Sequence, residues 1–156
     1  MSLMGPDAVN RLRDGFEAID YRTDAVLEAI GEAGQRGLQR NTTVAAENAL
    51  AGRDDPLAAA VSLWLLRRPV PVQRLSLLPL ADLVAAGILD IDDGSAIGRV
   101  DIRPYASPDD DATGWVVSDP TPGLNKHITE TRPDYVLGVY PASTSLAQMT
   151  SRRSVG

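Results

Sequence analysis

The acidic residues around Asp90 are the most obvious candidates for chemistry in this chain. Asp90, Asp92 and Asp93 precede Gly94, a grouping that invites a calcium-loop interpretation. That motif needs glycine at its sixth position and glutamate at its twelfth. Counted from Asp90, Gly94 is fifth and the twelfth residue is Asp101. The spacing therefore favours a solvated hairpin turn, and we expect no metal site in the chain.

Other reactive residue types are scarce. The sequence has one histidine, His127, and no cysteine, which excludes thiolate chemistry and a multi-histidine zinc site within one chain. Arg67 and Arg68 fit the end of a helix, where cations suit the dipole, with phosphate contact as the alternative. Trp64 and Trp115 are predicted to be core residues.

Signature sequences for catalysis are also missing. The chain contains no G-x-G-x-x-G, P-loop or G-x-S-x-G sequence and no pair of carboxylates in an apolar setting. We therefore predict no catalytic residue, and expect this stretch of chain to be inactive on its own.

The bulk composition is that of a globular protein. The 156 residues are 44% hydrophobic and 23% charged, with a formal net charge of −6. No run of apolar residues is long enough to cross a bilayer, and residues 1–5 look like an expression-derived start outside the fold. We expect no membrane partner and a cytoplasmic location.

Residues 6–54 predict an N-terminal helical part. Apolar residues recur at helical spacing over 7–19, and Thr23 is predicted to cap a second helix. Gly31, Gly34 and Gly37 are expected to weaken and end that second helix. A third helix is predicted between Asn41 and Gly52.

Residues 55–123 predict a winged-helix-like module. Asp55-Pro56 should start a helix that stops by Arg68, followed by short helices over 71–78 and 80–86 that end at Gly87. Strands are predicted at 88–91, 97–103 and 115–117, with a turn at 92–95. In the second strand, Val100 and Ile102 should lie on one side and Arg99, Asp101 and Arg103 on the other. The fold class is therefore α+β, mostly helical, with a small antiparallel sheet and an extended or helical tail over 124–156.

The net negative charge of this module argues against binding to DNA. Val72 to Ser118 contains three basic and eight acidic residues, and the predicted recognition helix carries Asp82 as its one charge. Phosphate contact needs Lys and Arg, and base edges need polar side chains. We expect the module to pack against a neighbouring domain or protein and not to bind duplex DNA.

Several short motifs carry a resemblance to a known family. The stretch from Arg132 to Gly156 contains P-D-Y-V-L-G-V-Y-P-A-S-T-S-L-A-Q, and L-V-A-A-G-I-L-D, D-I-R-P-Y and W-V-V-S-D-P precede it. Together they resemble the N-terminal accessory domain of bacterial S-adenosylmethionine-dependent methyltransferases with a "methyltransferase small" domain, similar to HemK and to rRNA guanine methyltransferases. The likeness covers roughly residues 55–156, with Tyr140-Pro141 departing from the family pattern.

The resemblance implies a cofactor and a missing catalytic half. Relatives continue into a glycine-rich loop that binds S-adenosylmethionine, so the chain looks truncated before that loop and no cofactor is expected on this stretch alone. Ser143 and Thr144 match the segment that borders the cofactor pocket in relatives. The alternative is that they cap a helix over 146–151.

Two functions are consistent with these observations. The first is a non-catalytic domain for substrate recognition and domain docking in a methyltransferase acting on an rRNA or DNA base amine or a protein glutamine. Its partners would be its own catalytic domain and an RNA, ribosome or protein substrate, with Arg67, Arg68, Arg152 and Arg153 as possible phosphate contacts. The alternative is a free-standing acidic winged-helix module for protein interaction or dimerisation.

Overall fold

The fold is α+β, with five α-helices and small antiparallel sheets in the part of the chain that a computed structural model describes, residues 4–107, 109 and 111–120. This confirms the predicted class. Among these residues, none of the helices is both long and apolar enough to span a membrane. The helices are α1 (Pro6–Ala18), α2 (Thr23–Gln39), α3 (Val44–Leu50), α4 (Pro56–Trp64) and α5 (Leu80–Ala85).

Helix α1 ends in a tight left-handed turn that leads into α2. Asp20 has a φ of 59°, and the N–H of Tyr21 donates to the carbonyl of Phe16 across 2.9 Å. This is the Schellman arrangement, in which an apolar contact commonly closes the helix end. The rings of Phe16 and Tyr21 supply that contact at a centroid distance of 5.0 Å.

Helix α2 consists of two helical segments that meet at Gly31. Gly31 has non-helical backbone angles, with a φ of 67°, so the first segment ends at a glycine as predicted. A second segment then continues past Gly34 and Gly37 to Gln39, which the glycines did not predict. The side chain of Gln35 donates to the carbonyl of Leu27 at this junction. Gly34 and Gly37 instead allow close packing, because a Cβ on Gly34 would lie 3.2 Å from the Cα of Ala46 in α3.

Helix α4 begins as predicted and ends at Trp64, within the predicted limit of Arg68. The Asp55 carboxylate accepts from the N–H of Ala58 at 3.2 Å, and Pro56 occupies the first turn. Ala58 to Val61, Leu63 and Trp64 are all buried, so this helix runs through the centre of the core. The chain then turns at Arg67, which has a φ of 57°.

The next two short helices lie, in chain order, between the first two strands of a three-stranded sheet. Strand β1 (Val70–Pro71) pairs with β3 (Ser95–Gly98), which pairs with β2 (Leu89–Asp92), giving the antiparallel order β1-β3-β2. Between β1 and β2 lie a 3-10 helix (Val72–Leu75), where we predicted a longer helix over 71–78, and α5. Positive φ angles at Asp93 and Gly94 form the predicted turn.

The prediction of one continuous strand over 97–103 is wrong. This stretch divides into β3 and β4 (Asp101–Ala106), which belong to different sheets, because β4 pairs with β5 (Thr113–Ser118) in a separate hairpin. The N–H of Arg99 donates to the carbonyl of Ile88 at the break. The predicted alternation of apolar and charged sides is also wrong, because Val100, Asp101 and Ile102 are all buried.

Candidate functional site

A cleft of about 850 Å³ lies between α1, the start of α2 and the β4–β5 hairpin. We call it the α1–hairpin cleft. Val9, Leu12 and Phe16 line it from α1, and Trp115 and Val117 line it from β5. Its size and mixed lining of aromatic, aliphatic and a few polar groups are typical of ligand pockets.

Aromatic side chains fix the hairpin to the helices at the base of this cleft. Phe16 and Tyr21 are almost fully buried, and the Trp115 ring lies 5.4 Å from that of Phe16, centroid to centroid. The indole N–H of Trp115 donates to the carbonyl of Tyr21 at 2.7 Å. Trp115 packs against the core, as predicted, but it is only partly buried and also lines the cleft.

The D-I-R-P-Y sequence builds the opposite wall. Asp101 is buried at 1% exposure and forms an ion pair with Arg103 at 3.7 Å. The carbonyl of Ile102 accepts from the hydroxyl of Tyr21 at 2.5 Å. Burial raises the pKa of the Tyr21 phenol well above 10.0; Arg103 opposes that shift and Asp101 adds to it. Pro104 and Tyr105 then face the cleft.

The rim of the cleft combines balanced charge with exposed aliphatic groups. Arg13 and Glu17 on α1, and Arg22 and Asp24 at the start of α2, are all exposed and line it. The residues therefore contribute two positive and two negative charges. Val9 and Val117, 41% and 45% exposed, border the cleft from its two walls. Among the described residues, the charged groups of the rim therefore balance.

The polar end of the cleft is the first turn of α2. We predicted Thr23 as the cap of this helix, but the helix begins at Thr23 itself, Arg22 holds the cap position, and no side chain caps it. The Thr23 Oγ1 atom is buried and has no hydrogen-bond partner among the described residues. Arg22, Thr23 and Asp24 are the residues that line this end of the cleft.

Helix α5, the predicted recognition helix, is attached to α1. Its Asp82 accepts from Arg11 of α1 at 2.9 Å. A Cβ on Gly15 would lie 2.7 Å from the carbonyl oxygen of Leu77, so α1 also approaches the segment that precedes α5. Gly87 ends α5 with a φ of 72°, as predicted. The outward side of α5 presents apolar Val84, which is 41% exposed.

The candidate phosphate and metal ligands do not come together in the described part of the chain. Arg68 pairs with Glu47 at 2.9 Å, Arg67 lies in the turn after α4, and Asp90 pairs with Arg99. Over residues 4–107, 109 and 111–120, no group of three or more acidic or histidine side chains is arranged to hold a metal ion.

Several predicted site residues lie outside the described residues. They are the cofactor-adjacent pair Ser143 and Thr144, the single histidine His127, and the two arginines Arg152 and Arg153.

Sequence reasoning missed the cleft. The alternation of Trp115 and Val117 along β5 and the Phe16–Tyr21 spacing were its visible signals. Neither predicts that the hairpin folds back onto α1, because the two segments are far apart in the chain. The burial of Asp101 was also missed, since alternation placed it with the charged residues Arg99 and Arg103.

Residues 18–100 match a family described as a domain of unknown function (DUF7059). The match covers just over half of the chain and runs from the last residue of α1 to the residue before β4. No curated protein and no solved structure matches the chain.

Proposed function

We propose that this chain, which belongs to the DUF7059 family of domains of unknown function, is a non-catalytic accessory domain of a cytoplasmic S-adenosylmethionine-dependent methyltransferase. It would dock on the catalytic domain and help to select the substrate, an rRNA or DNA base amine or a protein glutamine. The enzyme class rests on the resemblance in residues 55–156, and the docking role rests on the geometry of α5.

The order of elements supports a winged-helix module over residues 55–118. Helix α4 is followed by β1, the 3-10 helix, α5 and the β2–β3 hairpin, and the three strands pair in the order β1-β3-β2. In this interpretation α5 is the recognition helix and the β2–β3 hairpin is the wing. The module would have the architecture of a DNA-binding winged helix, but with an acidic and apolar surface in place of a basic one.

The single observation that carries the docking role is the environment of α5. Its sequence, LADLVA, contains no basic residue, and its one charge, Asp82, is paired with Arg11 of α1. The wing carries Asp90, Asp92 and Asp93, of which Asp90 is paired with Arg99. A duplex would meet negative charge and apolar side chains, which favours a protein surface over nucleic acid as the partner of this face.

The experiment that tests this proposal is the purification of the natural gene product from its native source. We expect an intact mass well above 16.6 kDa and photo-crosslinking of the product to radiolabelled S-adenosylmethionine, with no crosslinking to this chain alone. A product of this chain's mass that does not bind the cofactor would overturn the methyltransferase assignment. It would favour the free-standing acidic module for protein interaction or dimerisation.

A further inference from the structure

We propose that the outer edge of β5 accepts an extended segment of another protein, which pairs with it as an additional strand and carries basic residues next to the β4–β5 loop. The inference goes beyond the docking role of α5, because it concerns a different surface, and it does not depend on the methyltransferase assignment. It rests on the main-chain groups of β5 that face away from β4.

The register of the hairpin determines which main-chain groups of β5 face outward. In an antiparallel pair, residues directly opposite each other alternate between hydrogen-bonded and non-hydrogen-bonded pairs. The N–H of Ser107 donates to the carbonyl of Ala112 at 2.8 Å, so these two residues, just beyond the paired strands, form a hydrogen-bonded pair. Alternation along the register then makes Thr113, Trp115 and Val117 the non-hydrogen-bonded residues of β5. Their N–H and C=O groups therefore point away from β4.

Two features of β4 agree with this assignment. Pro104, which has no N–H, lies opposite Trp115, where no donor toward β5 is needed. The carbonyl of Ile102, opposite Val117, faces outward and accepts from the hydroxyl of Tyr21. The outer edge of β4 therefore lacks a donor at one position and has an occupied acceptor at another. The outward groups of β5 form no main-chain hydrogen bond with the residues that the structure describes.

Strand β5 also lacks the features that protect the other sheet edges. Strand β1 is two residues long and contains Pro71, and β2 carries Asp90 and Asp92. Short length, proline and charge at an edge prevent unwanted pairing with another strand. Strand β5 has six residues, TGWVVS, without proline or charge, and Thr113 and Val117 are exposed. An unprotected edge of this kind is the surface to which an extended peptide adds.

The charge beside this edge favours a basic partner over a second copy of this chain. Asp109 and Asp111, in the loop that leads into β5, are both exposed. Each copy carries a net charge of −6. A two-fold pairing centred on Trp115 would use every outward residue of β5, but it places Asp111 of one copy opposite Asp119 of the other. Like charges directly opposite destabilise a strand pair, whereas lysine or arginine beside this loop would complement it.

Phage display on this chain tests the proposal with short linear peptides of random sequence, and fluorescence polarisation then measures the affinity of the selected peptides. We expect peptides with a net positive charge and β-branched or aromatic residues. Val117→Pro removes one outward N–H and should weaken binding about tenfold. The matched control, Val117→Ala, keeps this N–H and should retain most of the affinity. Asp109→Asn combined with Asp111→Asn should weaken binding severalfold and reduce its dependence on salt.

N-methylation of the peptide main chain gives a second measurement, which does not depend on the folding of any variant. Only alternate residues of an added strand donate to β5, so N-methylation should abolish binding at every second position and be tolerated between them. Thermal unfolding of each protein variant separates a folding defect from a binding defect.

Four outcomes would overturn the proposal. They are the selection of no peptide or of acidic peptides, equal effects of N-methylation at successive positions, equal affinities for Val117→Pro and Val117→Ala, and a dimer in analytical ultracentrifugation that Val117→Pro dissociates. The last outcome would assign the edge to a second copy of the chain.

Discussion

The phenol of Tyr21 reaches across the molecule to the main-chain carbonyl of Ile102 and donates a hydrogen bond of 2.5 Å. Tyr21 follows the turn that ends α1, and Ile102 lies in β4, so one hydroxyl joins the N-terminal helices to the hairpin. The carbonyl of Tyr21 accepts from Trp115 of the other hairpin strand. The position of the α1–hairpin cleft therefore depends on this residue.

Replacing Tyr21 by phenylalanine should destabilise the chain by about 1–2 kcal/mol, because it leaves the buried carbonyl of Ile102 without this donor. Urea unfolding followed by circular dichroism measures the change. Tyr105→Phe is the control, since Tyr105 lies partly exposed at the cleft. Equal midpoints for Tyr21→Phe and the wild type would show that the hydrogen bond contributes nothing.

The same phenol predicts a pH dependence at the alkaline end. Burial raises the pKa of Tyr21 in the folded state well above its ordinary value of 10.0. The neutral form is therefore favoured by folding, so this stabilisation is complete below about pH 10 and is lost as the pH rises toward the folded pKa. Above about pH 10, the free energy of unfolding should therefore fall more steeply in the wild type than in Tyr21→Phe, as measured by urea unfolding at each pH.

Local signals predicted the fold where they were strong. The Asp55-Pro56 start of α4, the Gly87 end of α5 and the Asp93-Gly94 turn were all read from residue types that favour one backbone geometry. Gly34 was misread because a glycine that ends a helix and one that admits a neighbouring helix are identical in sequence. The distinction lies in Ala46 of α3, a tertiary contact that no local pattern contains.

The candidate site was less predictable for the same reason. The cleft joins Phe16 to Trp115, and no periodicity connects residues so far apart in the chain. The break between β3 and β4 is likewise set by the pairing of β4 with β5. In contrast, α5 is acidic and apolar because of its residue types alone. This feature could therefore be predicted from the sequence without knowledge of the fold.

The cap of α4 predicts an acid-dependent loss of stability. The hydrogen bond from Arg53, assisted by the Ala58 N–H, holds the pKa of Asp55 below its usual 3.8, against the effect of desolvation. A lowered folded pKa means that this contribution is present above pH 3.8 and is lost as the pH falls through the folded value. Asp55→Asn keeps an acceptor at the cap and should lose that pH dependence.

Asp55→Ala removes the acceptor altogether and should cost about 1 kcal/mol at neutral pH. Urea titrations of the wild type, Asp55→Asn and Asp55→Ala, run from neutral to acid pH, separate the two effects. Parallel pH profiles for the wild type and Asp55→Asn would contradict the assigned role of the carboxylate charge.

Substitutions at two residues with left-handed backbone angles should change the free energy of unfolding in opposite directions. Gly87 has a φ of 72° at the end of α5, so Gly87→Ala should destabilise by about 1–2 kcal/mol. Arg67 has a φ of 57° without the freedom of glycine, and Arg67→Gly should stabilise by up to about 1 kcal/mol. Thermal unfolding of the two variants gives the signs, and a stabilising Gly87→Ala would contradict the assigned turn.

Gly34→Ala tests the packing of α2 on α3. A Cβ at this position would lie 2.9 Å from the Cβ of Ile30 and 3.3 Å from the Cβ of Ala46, so the two helices must separate slightly. Overpacking of a close contact costs about 1–3 kcal/mol, which exceeds the gain of roughly 1 kcal/mol from replacing glycine by alanine in a helix. The net effect should therefore be destabilising. Gly114→Ala is the control, because its added Cβ would meet nothing within 4 Å. A Gly34→Ala variant more stable than the wild type in urea would mean that the glycine is tolerated in α2 and not required by α3.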